Sequence, residues 1–281
     1  MVGRTHRRGA ADALRTQGLS QRRTSQLLRL SRQTMRREVS RTRDDALKAE
    51  LVLLATRFPK LGYRMLHGLI VGSGQKVNPK RVYRIYREEG LMVRRRRRKK
   101  LIRGRVPMVL PSRPCERWSM DFVSDQLVNG PRFRTLNVLD DYSKRCLGQE
   151  VDFSLSGHRV VRLLEQLTMI YGKPKSIVTD NGPEFTCLAT QLWARQNGIV
   201  LLFIQPGKPT QNAYVESFNG KFRNECLDEQ LFLNIEEARE VIENWRNFYN
   251  TVRPHSSLGY VPPEEFETNF KPQTLSSQLA P

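Results

Sequence analysis

Ser176-Ile-Val-Thr-Asp-Asn-Gly-Pro-Glu-Phe185 decides the fold. Three β-favouring residues run straight into Asp180, and Asn181-Gly182-Pro183 then breaks the strand. Upstream of it, Gly157 to Tyr171 has helical spacing, with Val160, Leu163, Leu164, Leu167 and Ile170 on one buried stripe. Further upstream lie three strand-like runs: Arg117 to Val123, Phe133 to Leu139 and Cys146 to Phe153. The turn Asp140-Asp-Tyr-Ser143 separates the last two, so the three predict an antiparallel meander. Downstream, a helix is expected around Leu188 to Gln196, then a fully apolar fifth strand, Val200 to Ile204. A loop containing Pro206, Gly207 and Pro209 leads into a helix from about Ala213. A last long helix, Ile235 to Asn250, carries Ala238, Val241, Ile242, Trp245 and Tyr249 on its apolar stripe. The order predicts an α/β fold, a five-stranded mixed sheet flanked by helices.

Charge divides the 281 residues unevenly. The net charge is +20, yet residues 1–110 hold 30 Lys/Arg against 7 Asp/Glu, and residues 111–281 hold 18 against 21. The first third therefore suits a polyanion, and the remainder has the balance of an enzyme core. No apolar run approaches the ~20 residues of a spanning helix, and the start, Met1-Val-Gly-Arg-Thr-His-Arg-Arg, has no apolar stretch behind it that would read as an export signal. The four cysteines lie far apart without a Cys-x-x-Cys pair, which argues against a zinc site or a disulfide framework. A cytoplasmic, nucleoid-associated location is expected.

Two basic segments before the core read as small helical units. In Ala13 to Arg37, Leu14, Leu19, Leu27, Leu28 and Leu30 supply apolar spacing, Ser20 stands where a helix cap belongs, and Ser31 precedes Arg32-Gln-Thr-Met-Arg-Arg37. A short helix, a tight turn and a second basic helix fit a helix-turn-helix reader, against the plainer reading of a basic hairpin. In Phe58 to Val93, Asn78 before Pro79 marks a helix start, Val82, Ile85 and Tyr86 share a face, and Gly90 ends the helix. Lys80, Arg81 and Arg84 line other faces as candidate DNA contacts, and Tyr83 and Tyr86 read as core.

Arg94, Arg95, Arg96, Arg97 and Arg98 open a run of seven basic residues, and Pro107, Pro111 and Pro114 follow. Like charges repel and prolines break regular structure, so 94–114 reads as an extended linker that contacts phosphates in a salt-dependent way. The expected organisation is a helix-turn-helix-like segment at 1–45, a helical DNA-binding module at 46–93, the linker, a catalytic core at 115–268 and a disordered tail at 269–281.

Three acids stand in unusual contexts: Asp121 within Trp118-Ser-Met-Asp-Phe-Val123, Asp180, and Glu216 in Gln211-Asn-Ala-Tyr-Val-Glu-Ser-Phe-Asn-Gly-Lys-Phe-Arg223. Such a set suggests a two-metal site for cutting and joining phosphodiesters, because Mg2+ prefers carboxylate and phosphate oxygens. Asn181 and Gly182 shape the turn after Asp180. Asn219 and Arg223 share the helical face of Glu216, Lys221 points elsewhere, Glu184 reads as a turn or surface acid, and Asp140-Asp141 as a strand-end turn. Arg253-Pro-His-Ser-Ser257 is a further stretch that would suit DNA.

Residues ~115–265 resemble the integrase core of bacterial insertion-sequence transposases, the DDE group with a retroviral-integrase-like, ribonuclease H-like core. Trp118-Ser-Met-Asp121, Asn137-Val-Leu-Asp-Asp-Tyr-Ser143, Thr179-Asp-Asn-Gly-Pro-Glu-Phe185, Glu216-Ser-Phe-Asn-Gly-Lys-Phe-Arg223 and Tyr249-Asn-Thr-Val-Arg-Pro-His-Ser-Ser-Leu-Gly-Tyr260 carry the likeness. It is nearest to the second-reading-frame product of the family whose elements encode two overlapping frames. The resemblance implies a transposase acting on double-stranded DNA, with Asp121 bridging two Mg2+ ions (Mn2+ as a substitute) and Asp180 and Glu216 each binding one. It also implies that Arg223 meets DNA, with Asn219 and Lys221 as further candidates on the same helix, that the protein forms a homo-oligomer on two element ends, and that an upstream-frame protein or fusion is a candidate partner. The competing expectations are a metal-dependent nuclease that cuts without joining, and a DNA-binding regulator with a silent core.

Overall fold

The computed structural model describes residues 4–36, 42–93, 111–205 and 212–270. Arg94 to Arg98 and most of the expected linker, the loop of Pro206, Gly207 and Pro209, and the expected tail from Lys271 lie outside the described residues. The chain divides into two compact units on either side of Leu53.

In the first unit, α1 (Arg4–Thr16), α2 (Gln21–Leu28) and α3 (Arg32–Arg36) are followed by α4 (Thr42–Arg57). Gly18, at φ +87°, turns the chain after α1, and Ser20 caps α2 by accepting the Arg23 N–H at 3.4 Å. Ala11, Leu30 and Met35 form a small core with Leu28 against it. Leu27, assigned by spacing to the apolar stripe, is instead exposed. Thr24 and Leu28 take the inner face, and Leu27 lies a quarter-turn away from it.

The second unit begins with the hairpin of α5 (Tyr63–Gly72) and α6 (Pro79–Glu88). Asn78 caps α6, accepting the Lys80 N–H at 2.8 Å, with Pro79 in the first turn. Val82, Ile85 and Tyr86 are buried; Tyr83, expected in the core with Tyr86, is 41% exposed and lies against Tyr63 with ring centroids 4.7 Å apart. This segment leans on the C-terminal part of the sheet domain: Phe58 stacks on Phe248 at 4.7 Å, and Lys60 pairs with Glu229 at 2.7 Å.

The sheet domain contains β1 (Arg117–Gln126), β2 (Arg132–Asp140), β3 (Cys146–Asp152), α7 (Gly157–Tyr171), β4 (Ser176–Thr179), α8 (Pro183–Thr186), α9 (Leu188–Gln196), β5 (Val200–Phe203), α10 (Ala213–Glu225), α11 (Ile235–Thr251) and α12 (Pro263–Thr268). The sheet order is β3-β2-β1-β4-β5, antiparallel through β1 and parallel from β1 to β5. Alternation along the strands sends Trp118, Met120, Leu136 and Val138 to one face, where they meet Val160, Leu164 and Trp193. Val123, Phe133 and Val151 meet Phe218, Phe222, Trp245 and Tyr249 on the other. The mixed sheet with helices on both faces is the expected α/β, ribonuclease H-like architecture.

One expectation fails at the periphery. Ile170 is 69% exposed, because the partly buried Tyr171, one residue on, packs against the core at that end of α7. β5, the expected fully apolar strand, is an edge strand paired only with β4, and Val200, Leu202 and Phe203 are exposed. Among the described residues no helix is long and apolar enough to cross a membrane.

Candidate active site

Asp121 lies mid-strand in β1, on the face covered by α10. Continuing the parallel register that pairs Ser119 with Val178 puts Asp180, just past β4, level with Asp121. Glu216 enters from the first turn of α10. The three acids, 35 residues or more apart in sequence, thus face one space. Their negative charges are felt there: Asp121 is pushed up to about 6, first by burial and then by Asp180 and Glu216. Hydrogen bonds from the Phe122 N–H (2.8 Å) and the Asn219 amide (2.8 Å) oppose that rise. Glu216 is also raised, by burial, although its side chain is largely exposed.

The turn after Asp180 is held from both sides. Gly182 donates its N–H to Asp180 Oδ1 at 2.9 Å, and Asn181 Nδ2 donates to the Ile204 carbonyl at 3.0 Å, tying the turn to the end of β5. A Cβ on Gly182 would stand 3.0 Å from Asp180 Oδ1, so the turn admits little more than glycine. Glu184 is not a loose surface acid: it is half-buried and paired with Arg134, whose guanidinium lies 3.9 Å over the Phe122 ring. Phe122 in turn stacks on Phe185 at 5.0 Å. This clamp anchors the segment after Asp180 to β1 and β2.

No three His, Cys, Asp or Glu side chains among the described residues are gathered closely enough to hold a metal ion as they stand. Both Asp121 oxygens and one Asp180 oxygen are engaged by N–H donors. As a donor set, however, the three acids suit a hard divalent cation: they are all oxygen, they share one space, and Asp121 carries a charge that burial and its neighbours disfavour.

The remaining expected residues scatter. Arg223 is exposed on α10 and donates to the Ser124 carbonyl at 2.6 Å. Lys221 is half-buried, 3.4 Å from Ser217 Oγ, and is pushed down to about 8 by burial and by Arg253. Lys80 lines a groove with Tyr63, Arg64, His67 and Tyr260, away from the acids. Arg81 and Arg84 lie on the same helix, and Arg84 pairs with Glu88 at 3.1 Å. Arg253 and His255, expected near DNA, are buried instead: Arg253 grips both Glu225 oxygens at 2.6 Å, and His255 is held neutral by burial, down to about 2. Asp140 and Asp141 form the expected strand-end turn, but deeply buried. Asp141 accepts from Arg117 Nε and Ser119 Oγ, both at 2.6 Å, and Asp140 from Ser143 and the Cys115 N–H.

Sequence reasoning singled out neither Gln149 nor, outside its motif, Asn137. Yet Asn137 is buried and bonds Asn219 at 2.8 Å, and Gln149 bonds Asn137 at 2.7 Å. A signal was present: Asn137 is an amide at an inward position of the apolar run Thr135-Leu-Asn-Val-Leu139.

Comparison with known proteins places the chain in a family. Residues 111–209 and 197–263 match the family described as Integrase core domain, and residues 42–99 match an HTH-like domain. The chain is 47% identical over 255 residues to the insertion element IS407 uncharacterized 31.7 kDa protein of Burkholderia multivorans, covering 90% of this chain and 92% of that one. It is 46% identical over 263 residues to the insertion element IS476 uncharacterized 39.2 kDa protein of Xanthomonas euvesicatoria, covering 93% and 76%. The putative transposase InsK for insertion sequence element IS150 of Escherichia coli is 25% identical over 74% of this chain and 77% of its own. Among solved structures, a chain of the simian T-cell lymphotropic virus intasome in complex with PP2A regulatory subunit B56 gamma shares the fold. Its TM-score is 0.51 at 16% identity, over 82% of this chain and 76% of that one.

Proposed function

Because the chain belongs to the insertion-sequence transposases that carry an integrase core, we propose that Asp121, Asp180 and Glu216 are its catalytic carboxylates, cutting the element's ends and joining the freed 3′-hydroxyl to target DNA. The observation that carries this reading is the placement of the three acids, with Asp121 and Asp180 level on adjoining strands and Glu216 on the first turn of the helix above them. When bound, two Mg2+ ions, or Mn2+ in their place, would supply activation of the attacking oxygen and stabilisation of the leaving one. Asp121 would hold both ions, and Asp180 and Glu216 one each. The chain's own part is to fix these oxygens. The strand holds Asp121, the Gly182 turn holds Asp180, and the helix start presents Glu216 to the open side where DNA must approach.

Double-stranded DNA is the partner, met by the basic first third and by the rim of α10. Arg223, Asn219 and Lys221 lie within two turns after Glu216, although Asn219 is turned toward Asp121 and Lys221 is largely inward. Holding two element ends at once requires at least two protomers, and an upstream-frame protein, or a fusion with it, is a candidate companion at those ends.

The test is a labelled oligonucleotide carrying the inverted repeat that flanks the gene, incubated with Mg2+, Mn2+ or EDTA, with Glu216→Gln alongside. Joined products that require metal and vanish in the variant support the reading. Nicks that never join would point to a nuclease.

A further inference from the structure

Asp121, Asn137 and Gln149 stand side by side across three adjacent strands: Asp121 pairs with Asn137, and Asn137 with Gln149. Cross-strand partners share a face, so all three side chains rise toward α10 and α11. Asn219 comes down from α10 to complete a row. Gln149 Nε2 donates to Asn137 Oδ1 at 2.7 Å, Asn137 Nδ2 donates to Asn219 Oδ1 at 2.8 Å, and Asn219 Nδ2 donates to Asp121 Oδ2 at 2.8 Å.

The direction of this row is forced. An ionised carboxylate only accepts, so Asn219 must turn its NH2 to Asp121 and its carbonyl back to Asn137. Asn137 must then present its own NH2 to Asn219, which leaves its carbonyl for Gln149. Each amide polarises the next, so the bond that reaches Asp121 is stronger than one isolated amide would give. The far end is open: Gln149 Oε1 is buried and accepts no hydrogen bond among the described residues. Polarity is therefore imposed from the Asp121 end alone, and a single change at Gln149 is placed to oppose it.

We infer that Asn137 is a positioning residue, which through this one-way amide row keeps the Asn219 N–H on Asp121 and so holds the carboxylate in the orientation that strand cleavage uses, and that Gln149, at the open end, must not oppose that direction. The inference rests on the reading of Asp121 as catalytic. Gln149 itself lies two strands away, on β3, beside Glu150, Arg159, Arg239 and Glu243.

Gln149→Glu is the decisive variant. It is isosteric, but its carboxylate demands an N–H from Asn137. The row then has an acceptor-only group at each end, so one oxygen must face another, either between Asn137 and Asn219 or between Asn219 and Asp121, and in both cases Asn219 loses a hydrogen bond. Gln149→Met keeps the volume and removes only the last bond, leaving the other two amides as they are. The readouts are the side-chain amide resonances of Asn219 in isotope-labelled protein, and kcat and KM for an element-end oligonucleotide, with melting temperature as the check on folding.

The expected result is a displaced Asn219 amide resonance in Gln149→Glu, with kcat lowered about 10–100-fold and KM for DNA unchanged. Gln149→Met should stay within about fivefold of wild type. Equal behaviour of the two variants, or losses that merely follow melting temperature, overturns the inference. A second measurement needs no change at Gln149: in Asp121→Asn the Gln149 Nε2 protons should shift, and no shift overturns the row as surely. If Asp121→Asn still cleaves DNA, the catalytic reading of Asp121 fails, while the resonance arm still decides whether the row exists.

Discussion

Pro254 occupies the space that a side chain on Gly68 would need: a Cβ built on Gly68 falls 2.9 Å from both Cβ and Cγ of Pro254 and 3.4 Å from the Tyr260 carbonyl oxygen. Gly68 sits inside α5, where glycine is otherwise unfavourable. Alanine there would gain about 1 kcal/mol of helix propensity. The proline ring is rigid and buried, however, and overpacking costs about 1–3 kcal/mol. Gly68→Ala is therefore expected to destabilise the protein by about 1 kcal/mol net. Denaturant unfolding measures it; a variant more stable than wild type would mean that α5 is not seated on Pro254.

The same contact explains what the sequence hid. The strands and helices of the core were legible because hydrophobic period changes cleanly between Phe133–Leu139, Gly157–Tyr171 and Ser176–Thr179. The three acids drew attention because each stands in an improbable setting, and the structure turns them toward one space. The role of Tyr249-Asn-Thr-Val-Arg-Pro-His255 was not. A basic stretch reads as a DNA contact until its partners are known, and those partners, Glu225 and Gly68, are distant in sequence. Ile170 misled for the opposite reason: spacing reports which face a residue can share, not where the core ends beneath the helix. The amide row escaped because it exists only once β1, β2, β3 and α10 are assembled.

Arg253 and Glu225 form a two-pronged ion pair with both side chains nearly inaccessible. Removing one member strands a buried charge. Arg253→Ala is expected to cost about 3–5 kcal/mol, whereas Arg84→Ala, which breaks the exposed pair with Glu88, should cost less than about 1 kcal/mol. Thermal or denaturant unfolding of both variants compares the pairs directly. Equal costs would mean that the Arg253 pair is solvated in solution, and would return that residue to the list of DNA contacts.

Asp121 stands about 6, above the ordinary carboxylate value of 3.8, so its sign is the reverse of a salt-bridged acid. Its contribution to stability is fully present below about pH 4 and is lost as pH rises through 6. In metal-free protein, Asp121→Asn should therefore gain on wild type between pH 4 and pH 8. The gain should be on the order of 1–2 kcal/mol, allowing for partial solvation of the site. Melting curves at the two pH values test this, and an unchanged difference between variant and wild type would show that Asp121 is not strained by its neighbours. Adding Mg2+ at pH 8 should raise the melting temperature of wild type and leave Asp121→Asn nearly unmoved.

Protons and metal compete for the same Asp121 oxygens if the site works as proposed. At limiting Mg2+, strand cleavage should fall as pH drops through about 6, where Asp121 takes up its proton. Raising Mg2+ tenfold should then carry that acid limb down by about one pH unit, until the carboxylate's intrinsic affinity for protons no longer competes. His255 contributes nothing to the limb, since burial and the nearby Arg253 and Lys221 keep it neutral down to about 2. Initial cleavage rates on an element-end duplex, measured from pH 5 to 8 at several Mg2+ concentrations, separate the cases. A limb that stays in place as Mg2+ rises would mean that the titrating group is not a metal ligand, and the assignment of Asp121 would have to be given up.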